Sequence, residues 1–204
     1  MLKTKDNKTV FTLLLFIAAM QTITAFNASL FWYMYTFTLL VCMAIALLKI
    51  QFFDELPTWQ YALHGIGYGT LLYGLIRAGH ELLKLVIPTL DQTITMFLQA
   101  YGPTNIWHYT ILVFIIVIGE EMFWRGYVQQ QFKKVVPPLQ AIVISSLLFS
   151  VSLLIIGFIP GAISALLAGI IFGLLYEWKR SLPLIIVAHA VFVILLFLVL
   201  PLPL

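Results

Sequence analysis

Ile115 to Arg125 reads IIVIGEEMFWR: two adjacent carboxylates and an arginine inside a run that is otherwise apolar enough for burial in a membrane. An acidic side chain near the bilayer centre costs at least about 2.5–3.5 kcal/mol on insertion scales, so charge placed there calls for a partner or a function. Helical spacing divides the pair. Glu121 and Arg125 are four residues apart and share a face, whereas Glu120 is turned by about 100° and cannot use the same partner equally well. Glu121 is therefore expected to be neutralised by Arg125, with Glu120 left over.

The surroundings of this stretch point to an integral membrane protein. Of 204 residues, 62% are hydrophobic and 9% charged, against roughly 25% charged in an ordinary soluble domain. The fold class expected is all-α: a polytopic transmembrane helix bundle forming a single integral membrane domain over residues 1–204. Windows of about 20 residues place about seven spans: Val10 to Phe26, Leu30 to Leu48, Trp59 to Ile76, Ile106 to Phe123 or beyond, Leu139 to Ile156, Ala162 to Tyr176, and Leu182 to Leu200. The third is expected to continue as helix toward Ile87, where Pro88 stops it. Leu90 to Tyr101 is expected to lie in the interface rather than to cross as an eighth span.

Charge distribution supports that count. With a cytoplasmic N-terminus and seven spans, the inner side collects Lys3, Lys5, Lys8, Lys49, Arg125, Lys133, Lys134, Lys179 and Arg180, leaving Arg77 and Lys84 outside, as the positive-inside rule requires. The three N-terminal lysines resemble the start of a signal peptide, but no small-residue cleavage site followed by a soluble chain appears, so a retained first span is expected. The compact size and the lack of an organelle signal point to a bacterial cytoplasmic membrane. No nucleic-acid motif, phosphate loop or Cys/His metal cluster is present, which leaves membrane lipids as the expected surroundings and no nucleic-acid partner.

Several residues have ordinary structural readings. Cys42, the single cysteine, reads as a small buried apolar residue. Gly65 and Gly69, and Ala165, Gly169 and Gly173, form small-residue stripes that let helices approach closely. Ser145, Ser146, Ser150 and Ser152 are expected to bond backbone carbonyls, and Trp59, Trp107 and Trp178 to anchor span ends. Arg77 and Glu81 read as an i,i+4 ion pair, and His64, His80 and His108 as weak site candidates.

Depth singles out one further residue. Counted from the cytoplasmic lysines at 1.5 Å per residue, Glu120 lies roughly 16–20 Å inside, and His189, counted from Ser181, about 12 Å. The two can meet. A desolvated carboxylate without a cationic partner suits the abstraction of a proton from water, and a neighbouring imidazole can donate to a developing oxyanion. The competing reading is a polar Glu–His link between two helices.

The motifs resemble those of a known family. GEEMFWRG, Gly119 to Gly126, resembles the EExxxR(G) signature of the CPBP (CAAX protease and bacteriocin-processing, or Abi) intramembrane proteases. SSLLF, Ser145 to Phe149, and LYEWKRSLPLIIVAHA, Leu175 to Ala190, follow in the family's order, so the family-like core spans about residues 102–200. The resemblance implies an endopeptidase acting on a membrane-associated or lipid-modified peptide. It makes Glu120 the base that activates water, Glu121 the partner of Arg125, and His189 the group near the oxyanion.

Two motif positions differ. Where the family's FxxxH motif ends in histidine this chain has Leu153, and where its HxxxN motif ends in asparagine it has Val193. Loss of one oxyanion donor costs roughly 2.7–4 kcal/mol of transition-state stabilisation. The family is described both as metal-dependent and as metal-independent, so a divalent metal such as zinc would have to rest on Glu120 and His189, short of the three protein ligands usual in catalytic zinc sites. Two functions follow from the resemblance: a CAAX-type intramembrane endopeptidase with a reduced site, or a catalytically inactive relative acting as a membrane scaffold, bacteriocin-immunity or regulatory protein.

Overall fold

The computed structural model describes residues 4–49 and 52–202. Eight helices run through them: α1 Thr4–Phe26, α2 Phe31–Lys49, α3 Thr58–Lys84, α4 Leu90–Tyr101, α5 Ile106–Phe132, α6 Pro138–Leu154, α7 Ile159–Lys179 and α8 Leu182–Val199. Among the described residues no strand forms beyond one antiparallel bridge, Asp54 to Ser181. The protein is an all-α integral membrane bundle. Its outer face carries Phe11, Phe37, Leu71, Phe114, Leu147 and Leu198, all exposed, as a lipid-facing surface requires.

Five of these helices, α1, α2, α5, α7 and α8, are long and apolar enough to cross a membrane. The two other expected spans are less regular for identifiable reasons. α6 has 17 residues, and α3 is diluted by His64, Arg77, His80, Glu81 and Lys84. Both nevertheless pack along spanning helices. α4 has 12 residues, too few for the roughly 20 that a bilayer crossing needs. The regular winding of α3 ends at Lys84, where three-residue turns carry the amides of Leu85 and Val86 onto Leu82 and Leu83, and Ile87 makes a last four-residue bond to Leu83 before Pro88.

Small residues fix the helix pairs. A Cβ on Gly65 would stand 2.6 Å from the Val187 side chain, and one on Gly69 would stand 2.3 Å from the carbonyl oxygen of Ala188, so α3 and α8 touch backbone to backbone. Likewise α7 meets α6 where Gly169 faces Ser146 and Gly173 faces Ile142. Both stripes are packing surfaces. Gly69→Ala is expected to destabilise by about 1–3 kcal/mol, because the backbone of α8 cannot yield as a flexible side chain would. Gly74→Ala, with nothing within 4 Å of its Cβ, is expected to be neutral or slightly stabilising through helix propensity. Thermal unfolding in detergent micelles checks both, and equal midpoints would contradict this packing.

The ends of the bundle are closed by polar contacts. α7 terminates on Arg180 in the left-handed region (φ 46°), uncommon for a residue other than glycine. Ser181 then caps α8 by accepting from the Leu184 amide. This two-residue reversal lays α8 back along the bundle. Lys133 pairs with Glu177 at 2.6 Å and Arg180 with Glu55 at 2.5 Å, so these basic residues gather at one end.

At the other end α4 is latched to α3. Asp91 bonds Nε2 of His80 at 2.7 Å and Nζ of Lys84 at 2.9 Å, while Glu81 faces both side chains and pairs with Arg77. The hydrogen bond from Lys84, reinforced by that from His80, holds the Asp91 carboxyl below its ordinary 3.8. A depressed folded value contributes stability that is present above the unfolded value and lost as pH falls through the folded one. Hydrogen exchange of α4 amides is therefore expected to stay slow down to the region of 3.8 and to accelerate only below it. In Asp91→Asn this acid step disappears; its persistence there would assign it to another carboxylate.

Candidate active site

The charged stretch lies where α5 changes its winding. Val117–Glu120 is α-helical and Glu121–Gln129 is π-helical, a widening often found at functional sites. In this turn residues four apart still share a face. Arg125 Nη1 donates to Glu121 Oε1 at 2.9 Å, with both side chains fully buried. The guanidinium also lies over Phe149, 4.9 Å from the ring centroid, and over Phe172 at 5.6 Å. Such cation–π contact holds the charge where water is excluded.

His189 reaches this pair from α8. Its Nδ1 is 2.7 Å from Glu121 Oε1 and its Nε2 is 3.7 Å from Glu120 Oε2. The two residues do meet, but the tighter contact is with Glu121, a link that spacing along the chain does not reveal. Because Glu121 is ion-paired and can only accept, Nδ1–H donates to it, which turns Nε2 toward Glu120. Glu120 is itself buried. Its Oε1 accepts a hydrogen bond from the hydroxyl of Tyr35 on α2. The result is two hydrogen-bonded groups facing each other across that 3.7 Å gap: Arg125, Glu121 and His189 on one side, Glu120 and Tyr35 on the other.

Glu120, His189 and Tyr35 open onto a cavity of about 320 Å³. Its walls are mainly apolar, from Ile116, Leu153, Ala168, Val193 and Leu196 together with α4 residues such as Ile94 and Phe97. Leu153 and Val193, the two departures from the family motifs, thus face the same space as the carboxylate. Phe149, the retained first residue of the second motif, lines it too. At the α4 end His80 contributes to the wall.

The donor set does not fit a divalent metal. Among the described residues no group of three or more His, Cys, Asp or Glu side chains is placed to hold one. Glu121 is already bound by Arg125 and His189, so a catalytic zinc would find Glu120 and Nε2 of His189 alone, one ligand short of the usual three.

The remaining polar residues take structural places. Ser145 donates to the Trp124 carbonyl, Ser146 to Ile142, Ser150 to Ala162 and Ser152 to Phe149. His64 bonds the Gln60 carbonyl one turn away, and His108 stacks on Trp32 at the start of α5. Cys42 is buried among apolar neighbours. Tyr35 is the site residue that sequence reading passes over. The one signal available was its place inside the apolar run FWYMYTFTLL, Phe31 to Leu40.

Fold and site together describe an integral-membrane helix bundle with a buried carboxylate–imidazole pair facing an apolar cavity. Residues 102–195 match the model of the family described as Type II CAAX prenyl endopeptidase Rce1-like. That segment is similar to this family, in agreement with the CAAX-protease resemblance of the motifs. Glu120, Glu121, Arg125, Leu153, His189 and Val193 lie inside the matched segment, and Tyr35 lies outside it. No curated protein and no solved structure matches the chain.

Proposed function

We propose that the protein is an intramembrane endopeptidase of the CAAX type, hydrolysing a peptide bond in a membrane-associated or lipid-modified peptide. The observation that carries this reading is Glu120, buried in the wall of an apolar cavity with His189 beside it. The 3.7 Å between Oε2 and Nε2 is too long for a direct hydrogen bond, yet leaves both atoms able to hold one water placed off the line between them.

Glu120 takes a proton from that water as its oxygen bonds to the scissile carbonyl carbon. The carbon–nitrogen bond then breaks, and the proton passes from Glu120 to the departing amine. His189, anchored through Nδ1 to Glu121, stabilises the negative oxygen from Nε2 when protonated. Arg125 holds Glu121 and through it the imidazole. A cavity of about 320 Å³ with apolar walls suits a lipid chain or extended apolar side chains. The chain acts as one membrane domain in this reading, since α2 and α5 supply one carboxylate and its hydrogen-bond donor.

The apolar Leu153 and Val193 favour a second reading, in which the bundle binds a peptide in this cavity without cutting it, as a scaffold, immunity or regulatory protein. Peptide termini in membranes of cells carrying wild type, Glu120→Gln or His189→Ala at equal abundance decide between the two. Termini that vanish in both variants support hydrolysis and name its substrate. Unchanged termini with retained peptide binding establish the second reading.

A further inference from the structure

We infer that Tyr35 is a positioning residue of this site: its hydroxyl fixes the Glu120 carboxylate so that Oε2 faces His189 and the reacting water. The inference rests on the proteolytic reading above, and it brings into the site a helix that lies outside the family-matched segment. A glutamate side chain has three rotatable bonds, and a base that wanders loses the geometry on which proton transfer depends. Something must therefore hold it.

Among the described residues, Glu120 is approached by two polar groups. His189 stands 3.7 Å away and is tied to Glu121, so it does not hold the carboxylate directly. Tyr35 does, through Oε1. The two motif positions at which this chain lacks the family's polar side chain are Leu153 and Val193, which line the cavity and offer no hydrogen bond. The phenol supplies the direct donor that these positions lack.

Tyr35 is itself rigid. Its ring stacks on Phe31 at 5.4 Å with an interplanar angle of 13°, and Phe31 meets Trp32 at 5.5 Å and Tyr101 of α4 at 5.5 Å. Its neighbour Leu39, one turn further along α2, packs with it and with Ile116 of α5. A donor on such a platform presents one direction to the carboxylate. With Oε1 occupied, the lone pairs of Oε2 are those left for the water.

The test uses Tyr35→Phe in the full-length protein in detergent micelles, with a farnesylated, internally quenched CAAX-type peptide as probe. The substitution removes one oxygen and keeps the ring on Phe31. Loss of a hydrogen bond to a charged group corresponds to about a ten- to hundredfold fall in kcat, with KM expected to stay unchanged because the hydroxyl's hydrogen is already committed to Glu120. Infrared difference spectra of wild type against Tyr35→Phe should show a shifted carboxylate stretch that disappears in the Glu120→Gln background.

Outcomes separate cleanly. If wild type cleaves, Glu120→Gln does not, and Tyr35→Phe keeps its kcat, the inference is overturned while the protease reading stands. The inference also falls if Tyr35→Phe raises KM alone or leaves the carboxylate band in place. If wild type itself does not cleave, the protease reading fails and takes this role with it, and the infrared band then reports a structural bond.

Discussion

Glu120→Gln is expected to lower kcat for peptide cleavage by about a hundred- to ten-thousandfold, the range contributed by a positioned general base. Glutamine has nearly the shape of glutamate and keeps a carbonyl oxygen to accept from Tyr35, so the bundle and the cavity are expected to survive intact. What it cannot do is take a proton from water. KM should therefore change little, since uniform binding of the peptide is not what has been removed. The measurement is product formation from a farnesylated CAAX-type peptide, followed by mass spectrometry, with matched thermal stability as the control for folding. A glutamine variant that cleaves at the wild-type rate would remove Glu120 from the chemistry and leave the peptide-binding reading of the cavity.

The outline of this fold was legible because bilayer thickness dictates helix length. Apolar runs of about 20 residues have few alternatives, and α1, α2, α5, α7 and α8 fall where those runs do. The shortness of α4 was legible for the converse reason: Leu90 to Tyr101 lies between Pro88 and Gly102, which leaves 12 residues, too few to cross. The Glu121–Arg125 pair could be read from spacing alone, since π winding and α winding both leave residues four apart on one side. His189 could be placed by depth, but its contact with Glu121 could not, because that depends on how α8 rotates against α5 through the Gly65 and Gly69 contacts with α3. Tyr35 was hidden more thoroughly. A tyrosine near a span end is ordinarily an interfacial anchor, and neither spacing nor charge separates Tyr35 from the exposed Tyr33 two residues earlier. The Asp91 contacts that latch α4 to α3 likewise depend on the turn at Pro88, whose geometry a hydropathy profile does not contain.

Arg125→Met is expected to destabilise the protein by about 3–5 kcal/mol, the usual consequence of leaving one member of a buried ion pair without its partner. The residue is 1% exposed and Glu121 is 0% exposed, so without the guanidinium the buried carboxylate is left with the Nδ1–H of His189 alone. Methionine fills much of the vacated length but cannot neutralise the charge. Phe149 and Phe172 would lose their cation as well. The pair is not fully satisfied even in the native protein, since Glu121 Oε2 and Arg125 Nη2 find no hydrogen-bond partner among the described residues. That makes the double variant informative. Glu121→Gln with Arg125→Met removes both charges, and replacement of a buried pair as a unit is often close to neutral, so much of the lost stability should return. Activity should not return, because Nδ1 of His189 would then face an uncharged amide in place of the carboxylate that holds it at 2.7 Å. Unfolding midpoints and cleavage rates of the two single variants and the double variant complete the cycle. Recovery of stability without recovery of cleavage means that Arg125 serves the site through Glu121 and the imidazole beyond it; additive losses of stability would mean that the arginine holds the bundle independently of this carboxylate.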